Sequence, residues 1–364
     1  MDDKQALALS KDLAGDLPSG HERDIAKTFL TSIESLPTEA QDLLTLATLL
    51  SNAPISSDLI AGCKRARQGA ASQGAGAADE QAERKALMGA EDWAARCMKQ
   101  LTDCSLADPS AEEPAAPGAR AVPAITVHTL IARVARWRLA DGTANTQANQ
   151  ASQATVQWRQ AAVLTLQHAM RAAADIGQHA ALLHEVQHAR QLCEKVETLD
   201  QAMLLERIAE YDDARGHYAL AHAAWQTVLK HRERVLVPEH PATLTSMNNL
   251  ALTLRDMGEL PAARAMQEQV LAIGQRVLAL EHRNTLTSMN NLADSLRAMG
   301  ELPAARAMQE QVLDLMQRVL GSEHPDTISA LGNLLIMLFD AKDDAGMKAT
   351  ATRHPATLAK FLAE

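Results

Sequence analysis

Apolar positions between residues 239 and 338 recur with helical rather than strand spacing. Met247, Leu250, Ala251 and Leu254 stand at i, i+3, i+4 and i+7, one stripe of a helix. Gly258 follows, where a helix end turns into the left-handed conformation. Pro261 falls in the first turn of a second helix, where its missing N–H costs nothing. Ala262, Ala263, Met266, Val270, Ile273 and Val277 carry the second stripe. The pattern predicts two helices joined by a tight turn.

The unit then repeats. EHPATLTSMNNLALTLRDMGELPAARAMQEQVL at 239–271 is nearly matched by EHRNTLTSMNNLADSLRAMGELPAARAMQEQVL at 281–313. A third copy opens at Glu323-His324-Pro325 and decays after Leu338, and a divergent one ends within 209–236. Gly216, Gly258 and Gly300 keep one period of 42 residues. Small residues at Ala251, Ala263, Ala293 and Ala305 allow close helix approach. Such a unit cannot bury its apolar face alone, so copies must stack.

The Leu250-Ala251, Gly258, Ala263 skeleton resembles the tetratricopeptide repeat, and the 42-residue period resembles its kinesin-light-chain version. The resemblance implies an α-solenoid over 204–338, a degenerate cap over 339–364, and a protein or peptide ligand in a concave groove. Asn248, Leu252 and Arg255 share a face opposite the packed stripe, with Asn249 beside them. Asn290, Asn291, Asp294, Arg297 and Asn333 continue the series. In the family, an amide just before the Leu-Ala pair bonds the backbone of a bound peptide. By resemblance this role falls to Asn249, Asn291 and Asn333. A carboxamide suits it, because it both donates and accepts. The residues alone leave open that the amides tie adjacent helices, and that Asp294 and Arg297 form a surface pair.

Upstream, helical periodicity runs from Ala26 to Ile33, from Ala40 to Leu50 and around Trp93 and Met98. Ala, Gly and Pro-rich composition predicts disordered loops near 64–86 and 106–122. Ile125–Leu139 reads as a short strand entering an amphipathic helix. Residues 1–140 thus form a winged-helix-like module, 141–157 a linker and 158–203 a helical adaptor. LPTEAQDLLTLATLLSNAPISSDLI and VHTLIARVARWRL resemble the last switch domain of STAND signalling ATPases of the NB-ARC type. That resemblance implies a sensor of a signalling system, working with a nucleotide-binding P-loop domain in cis or trans. It also implies nucleotide sensing by His128, which stands where the family has Met-His-Asp; here Val127 and Thr129 replace the flanking residues. The chain itself has no GxxxxGK[ST] and no Gly-Lys pair, so ATP hydrolysis by this chain is not expected. A free-standing scaffold without a switch is the alternative.

His184-Glu185-Val186-Gln187-His188 matches HExxH, which on a helix sets two histidines on one face for zinc and a glutamate for water activation. Arg190 and the missing HxxGxxH extension argue against a zinc hydrolase, and no enzymatic activity or cofactor is expected. His168, His179 and His222 read as surface or interhelical residues.

Composition narrows the class further. Hydrophobic residues are 47% of the chain but aromatics only 2%, which favours close-packed helices over sheet. A net charge of −10 argues against nucleic acid, despite Arg133, Arg136 and Arg138 around Trp137. Cys63, Cys97, Cys104 and Cys193 form no CxxC pair. No leader or membrane span is legible, so a cytoplasmic protein is expected. The fold class that emerges is mainly α, a winged-helix-like N-terminal module followed by an α-solenoid.

Overall fold

The computed structural model describes residues 22–71, 80–112, 122–140 and 146–363. Two compact units divide the chain, the first ending at Ala214 and the second beginning at Arg215.

The first unit opens with α1 (Glu22–Ser35) and α2 (Thr38–Leu49). Pro37 separates them, since its ring cannot continue α1 but suits the start of α2. Then come β1 (Ile55–Ser56), α3 (Ser57–Ala71), α4 (Glu80–Asp103), β2 (Ala107–Glu112), β3 (Val122–Val127) and α5 (Thr129–Ala140). The three strands form an antiparallel sheet in the order β1-β3-β2. Ile125 on the central strand lies between Ile55 and Pro109, and Pro109 stands on the edge strand β2. Leu43, Leu46, Ile60, Leu101, Leu106, Ile125 and Val134 fill the core beneath.

Three expectations are corrected here. Residues 64–71 are helical, and α4 begins at Glu80, inside the segment read as a loop; residues 72–79 lie outside those described. Residues 107–112 are strand, paired to β3 despite their weak β propensity; 113–121 lie outside the described residues. The segment read as a linker is helix from Thr146 onward, as part of α6 (Thr146–Ala169). In each case a tertiary anchor overrides composition. Arg67 in α3 pairs with Asp42 in α2 at 3.0 Å and stacks over Trp158 of α6 at 4.5 Å. Trp158 is fully buried, stacks on Trp93 at 5.8 Å, and its Nε1 donates to Asp42 at 3.3 Å. The unit ends with two short 3-10 turns, α7 (Leu183–Leu192) and α8 (Leu199–Ala214).

The second unit is helical throughout its described residues: α9 (Tyr218–Val235), α10 (Pro241–Asp256), α11 (Leu260–Val277), α12 (Arg283–Ala298), α13 (Leu302–Leu320), α14 (Pro325–Asp340), α15 (Asp344–Arg353) and α16 (Pro355–Phe361). α10 with α11 and α12 with α13 form successive hairpins, and α10, α12 and α14 pack side by side.

Each hairpin is closed by the same chemistry. Gly258 (φ 85°) and Gly300 (φ 81°) adopt the left-handed conformation that ends α10 and α12. Their N–H groups donate to the Arg255 and Arg297 carbonyls, and the next N–H reaches back to Leu254 and Leu296, the pairing of a Schellman turn. Each first helix is capped by histidine. His240, His282 and His324 accept at Nδ1 from the N–H two residues on, each at 3.1 Å.

Successive units are joined by buried apolar contacts and by periodic ion pairs. Leu286, Met289, Val312, Leu313 and Leu331 form one such core, with Leu292, Ala293, Leu296 and Ala305 beside it. Arg264 meets Glu301 at 2.6 Å, and Arg306 pairs with Asp343. Arg276 reaches back to Glu239 at 2.5 Å and Arg318 to Glu281 at 2.9 Å. These pairs are open to solvent, which screens them, so burial holds the array. At the far end Phe361 of α16 lies against Gly332, where an added Cβ would come within 3.0 Å of the ring.

Candidate partner-binding face

The amides picked out by their period fall into two sets. Asn248 and Asn290 point into the joints between units. Asn248 is 8% exposed, and its Nδ2 donates to Ser288 Oγ on α12 at 2.8 Å. Asn290 Oδ1 accepts from Gln309 Nε2 at 2.8 Å and from Asn333 Nδ2 at 3.2 Å. These contacts tie neighbouring helices. Asn333 shares in that joint through its one bond to Asn290.

Asn249 and Asn291 are half-buried and sit one residue further round α10 and α12. Both line a cavity of about 220 Å³, together with Leu244, Asn248, Leu252 and Thr285. The cavity therefore spans the joint between α10–α11 and α12. Sequence reasoning missed Ser288 and Thr285 as polar members of this face.

Charged residues run alongside. Arg255 pairs with the adjacent Asp256 at 2.9 Å. Arg297 pairs with Asp340 on α14 at 3.2 Å, which ties two units together and is not the i, i+3 pair with Asp294. Asp294 lies near both arginines, but burial dominates and raises its carboxyl above the usual carboxylate range.

The HExxH residues do not build a metal centre. His188 is 1% exposed, and both its ring nitrogens are engaged. Nε2 lies 3.0 Å from the Pro54 carbonyl, which can only accept, so Nε2 carries the proton. Nδ1 is then bare and accepts from Ser51 Oγ at 2.9 Å. No lone pair of His188 is left for zinc. Burial lowers its pKa to about 4. His184 and Glu185 are half-buried on the same helix, and no group of three His, Cys, Asp or Glu among the described residues is placed to hold a metal. Of the other histidines, His179 is buried and bonds the Ala173 carbonyl at 2.8 Å while packing on Tyr211.

His128 sits between β3 and α5 with its side chain 48% exposed, 3.5 Å from Asp108 on β2. Burial pushes the thiols of Cys63, Cys97 and Cys193 up to about 12, so none is a nucleophile near neutral pH. The side chains of Trp137 and Arg138 lie outside those described. No helix among the described residues is long and apolar enough to cross a membrane.

Residues 243–284 and 285–326 each match the tetratricopeptide repeat. The hairpin pairs, glycine turns and period described above are thus those of tetratricopeptide repeats, units that serve protein–protein interaction. Solved structures that match include two of nearly identical TPR-like repeats from a kinesin light chain candidate of Podosopora anserina. They are 22% and 23% identical, with TM-scores of 0.47 and 0.45. They cover 56% and 54% of this chain, and 97% of each of theirs. BtubC (BKLC) from P. vanneervenii is 18% identical, with a TM-score of 0.41, over 58% of this chain and 83% of its own. No curated protein matches the sequence.

Proposed function

We propose that the tetratricopeptide repeats bind an extended segment of a protein or peptide trigger along the face made by α10, α12 and α14. The observation that carries this reading is the pair Asn249 and Asn291. They recur at one period on adjacent first helices and lie half-buried at the cavity between units. An extended peptide offers N–H and C=O groups along its length, and side-chain amides answer both. Asn333, Arg255 and Arg297 extend the face in either direction.

The same reading makes the chain the sensor part of a STAND-like signalling system. The N-terminal unit supports this. Its helix–strand–helix–helix–strand–strand order and β1-β3-β2 sheet favour the winged-helix reading. His128 would touch the diphosphate end of a nucleotide held by a separate P-loop domain. The trigger must bind one arrangement of the domains better than the other, because a ligand with equal affinity for both moves no equilibrium. The lack of a Walker motif in this chain favours a second reading, a scaffold that joins partners without switching.

A pull-down from native lysate with the parent chain and an Asn249→Ala/Asn291→Ala variant separates these readings. A partner retained by the parent and lost by the variant supports the groove, and a co-purifying P-loop protein supports the switch. Identical partners on both baits remove the groove reading and favour the scaffold.

A further inference from the structure

Two joints between repeats can be compared position by position, and they satisfy the same amide differently. At the second joint the Asn290 oxygen accepts two bonds from the protein, and Gln309 Nε2 also donates to the Ala330 carbonyl at 2.9 Å. At the first joint Asn248 takes the place of Asn290, and Gln267 that of Gln309. There the amide turns the other way. Ser288 gives its only proton to the Asn284 carbonyl at 2.9 Å, so towards Asn248 it can only accept. That fixes Nδ2 on Ser288 and leaves Asn248 Oδ1 with no protein partner. Ala330 has no hydroxyl, which is why the second joint is built differently.

Asn248, 8% exposed, is one of the residues that line the 220 Å³ cavity. Thr285 lines it too and is 1% exposed, and its Oγ1 likewise lacks a protein partner. Gln267, wholly buried at the same joint, has neither amide atom paired. Leu244, Leu252, Val270 and Leu278 supply apolar walls. The second joint also leaves Thr327 Oγ1 and Gln309 Oε1 unpaired, so what sets the first joint apart is Asn248 Oδ1 and Gln267 Nε2, and buried polar atoms are normally paired.

We propose that the cavity is a side-chain subsite of the groove, taking a peptide residue with an apolar stem and a terminal primary amide, as in glutamine. The inference rests on the groove reading. A primary amide gives an N–H to Asn248 Oδ1 and a carbonyl to the Thr285 hydroxyl, while its methylenes meet the leucines and valine. A carboxylate has no proton to give and sets acceptor against acceptor. A purely apolar side chain leaves both polar atoms unpaired.

Pentanamide, a linear mimic of the glutamine side chain, tests this with the full chain and methyl NMR. The methyl signals of Leu244, Leu252, Val270 and Leu278 should shift saturably with pentanamide and at least about fivefold more weakly with pentanoate, the worth of one hydrogen bond. Asn248→Leu should weaken pentanamide by about fivefold or more, since Ser288 keeps its bond to Asn284. Thr285→Val, nearly isosteric and losing only an unpaired oxygen, is the second variant and should weaken it about threefold. Methyls that do not move with pentanamide, or equal affinity in both variants, overturn the subsite. A displayed random peptide library separates this from the groove itself. Peptides enriched for glutamine or asparagine at one position on the parent, but not on Asn248→Leu, support the subsite. Peptides that bind with no such preference overturn the subsite and leave the groove standing. Pentanamide binding with no peptide selected overturns the groove and leaves the donor preference of the cavity standing.

Discussion

Ser51 donates its hydroxyl proton to His188 Nδ1 across 2.9 Å, joining the turn after α2 to the middle of α7. With Nε2 donating to Pro54 at 3.0 Å, the imidazole is held neutral between two parts of the first unit. A motif that reads as a metal site in one dimension is a buried brace in three.

Acid should loosen this brace. Burial lowers the His188 pKa from 6.5 to about 4, so the unfolded chain binds the proton more readily than the fold. The contribution is complete above about pH 6.5 and is lost as pH falls towards 4, a change of about 3 kcal/mol. Urea midpoints measured from pH 7.5 to 4.5 should fall for the parent. His188→Gln should begin less stable and show a shallower slope, by up to one proton. Equal slopes would mean His188 is not held neutral.

Metal removal should change nothing. Protein prepared without chelator is expected to hold less than about 0.1 zinc per chain, and EDTA to leave its Tm unmoved. Stoichiometric zinc by mass spectrometry would require the Ser51 bond to His188 Nδ1 to be broken in solution.

The two sets of amides should separate by stability. Asn290→Ala removes an acceptor of two bonds and leaves Asn333 Nδ2 without its partner at the joint, which should cost about 1–2 kcal/mol. Asn249→Ala/Asn291→Ala should cost under about 1 kcal/mol, because these amides line an open cavity. Thermal melts of both variants check the order, and a reversed order would place Asn249 and Asn291 in the joint.

Lys342 occupies the place held by Gly258 and Gly300, and it adopts φ 55° there. Its N–H still closes the turn on Phe339, and the N–H of Asp343 on Leu338, each at 2.9 Å. The third turn therefore carries the strain that glycine relieves in the first two. Lys342→Gly should stabilise the second unit by about 0.5–1 kcal/mol, and Gly258→Ala should destabilise it by about 1 kcal/mol, both read from denaturant midpoints.

The repeat was legible in the sequence because its signals are local. Stripe spacing, a glycine at each turn, a proline in the next first turn and a fixed period all lie within one unit, and each is imposed by backbone geometry. The candidate face was legible only in part. Period alone placed Asn248 and Asn249 together, although a helix turns about 100° between them and sends one into the joint and the other to the face.

The sequence by itself determined the helical class, the 42-residue unit, the residues that close each turn and the absence of a phosphate-binding loop. The tertiary structure decided the rest. Arg67, Trp93 and Trp158 order segments whose composition reads as loop and linker, because distant anchors supply burial that composition does not record. The fate of His188 depended on Ser51 and Pro54, more than 130 residues away in the chain. Asn248 meets a hydroxyl, Ser288, on the neighbouring unit, a partner that no local signal names. A hydrogen bond is decided by what a side chain meets across a joint, and that neighbour is chosen by packing rather than by adjacency in sequence.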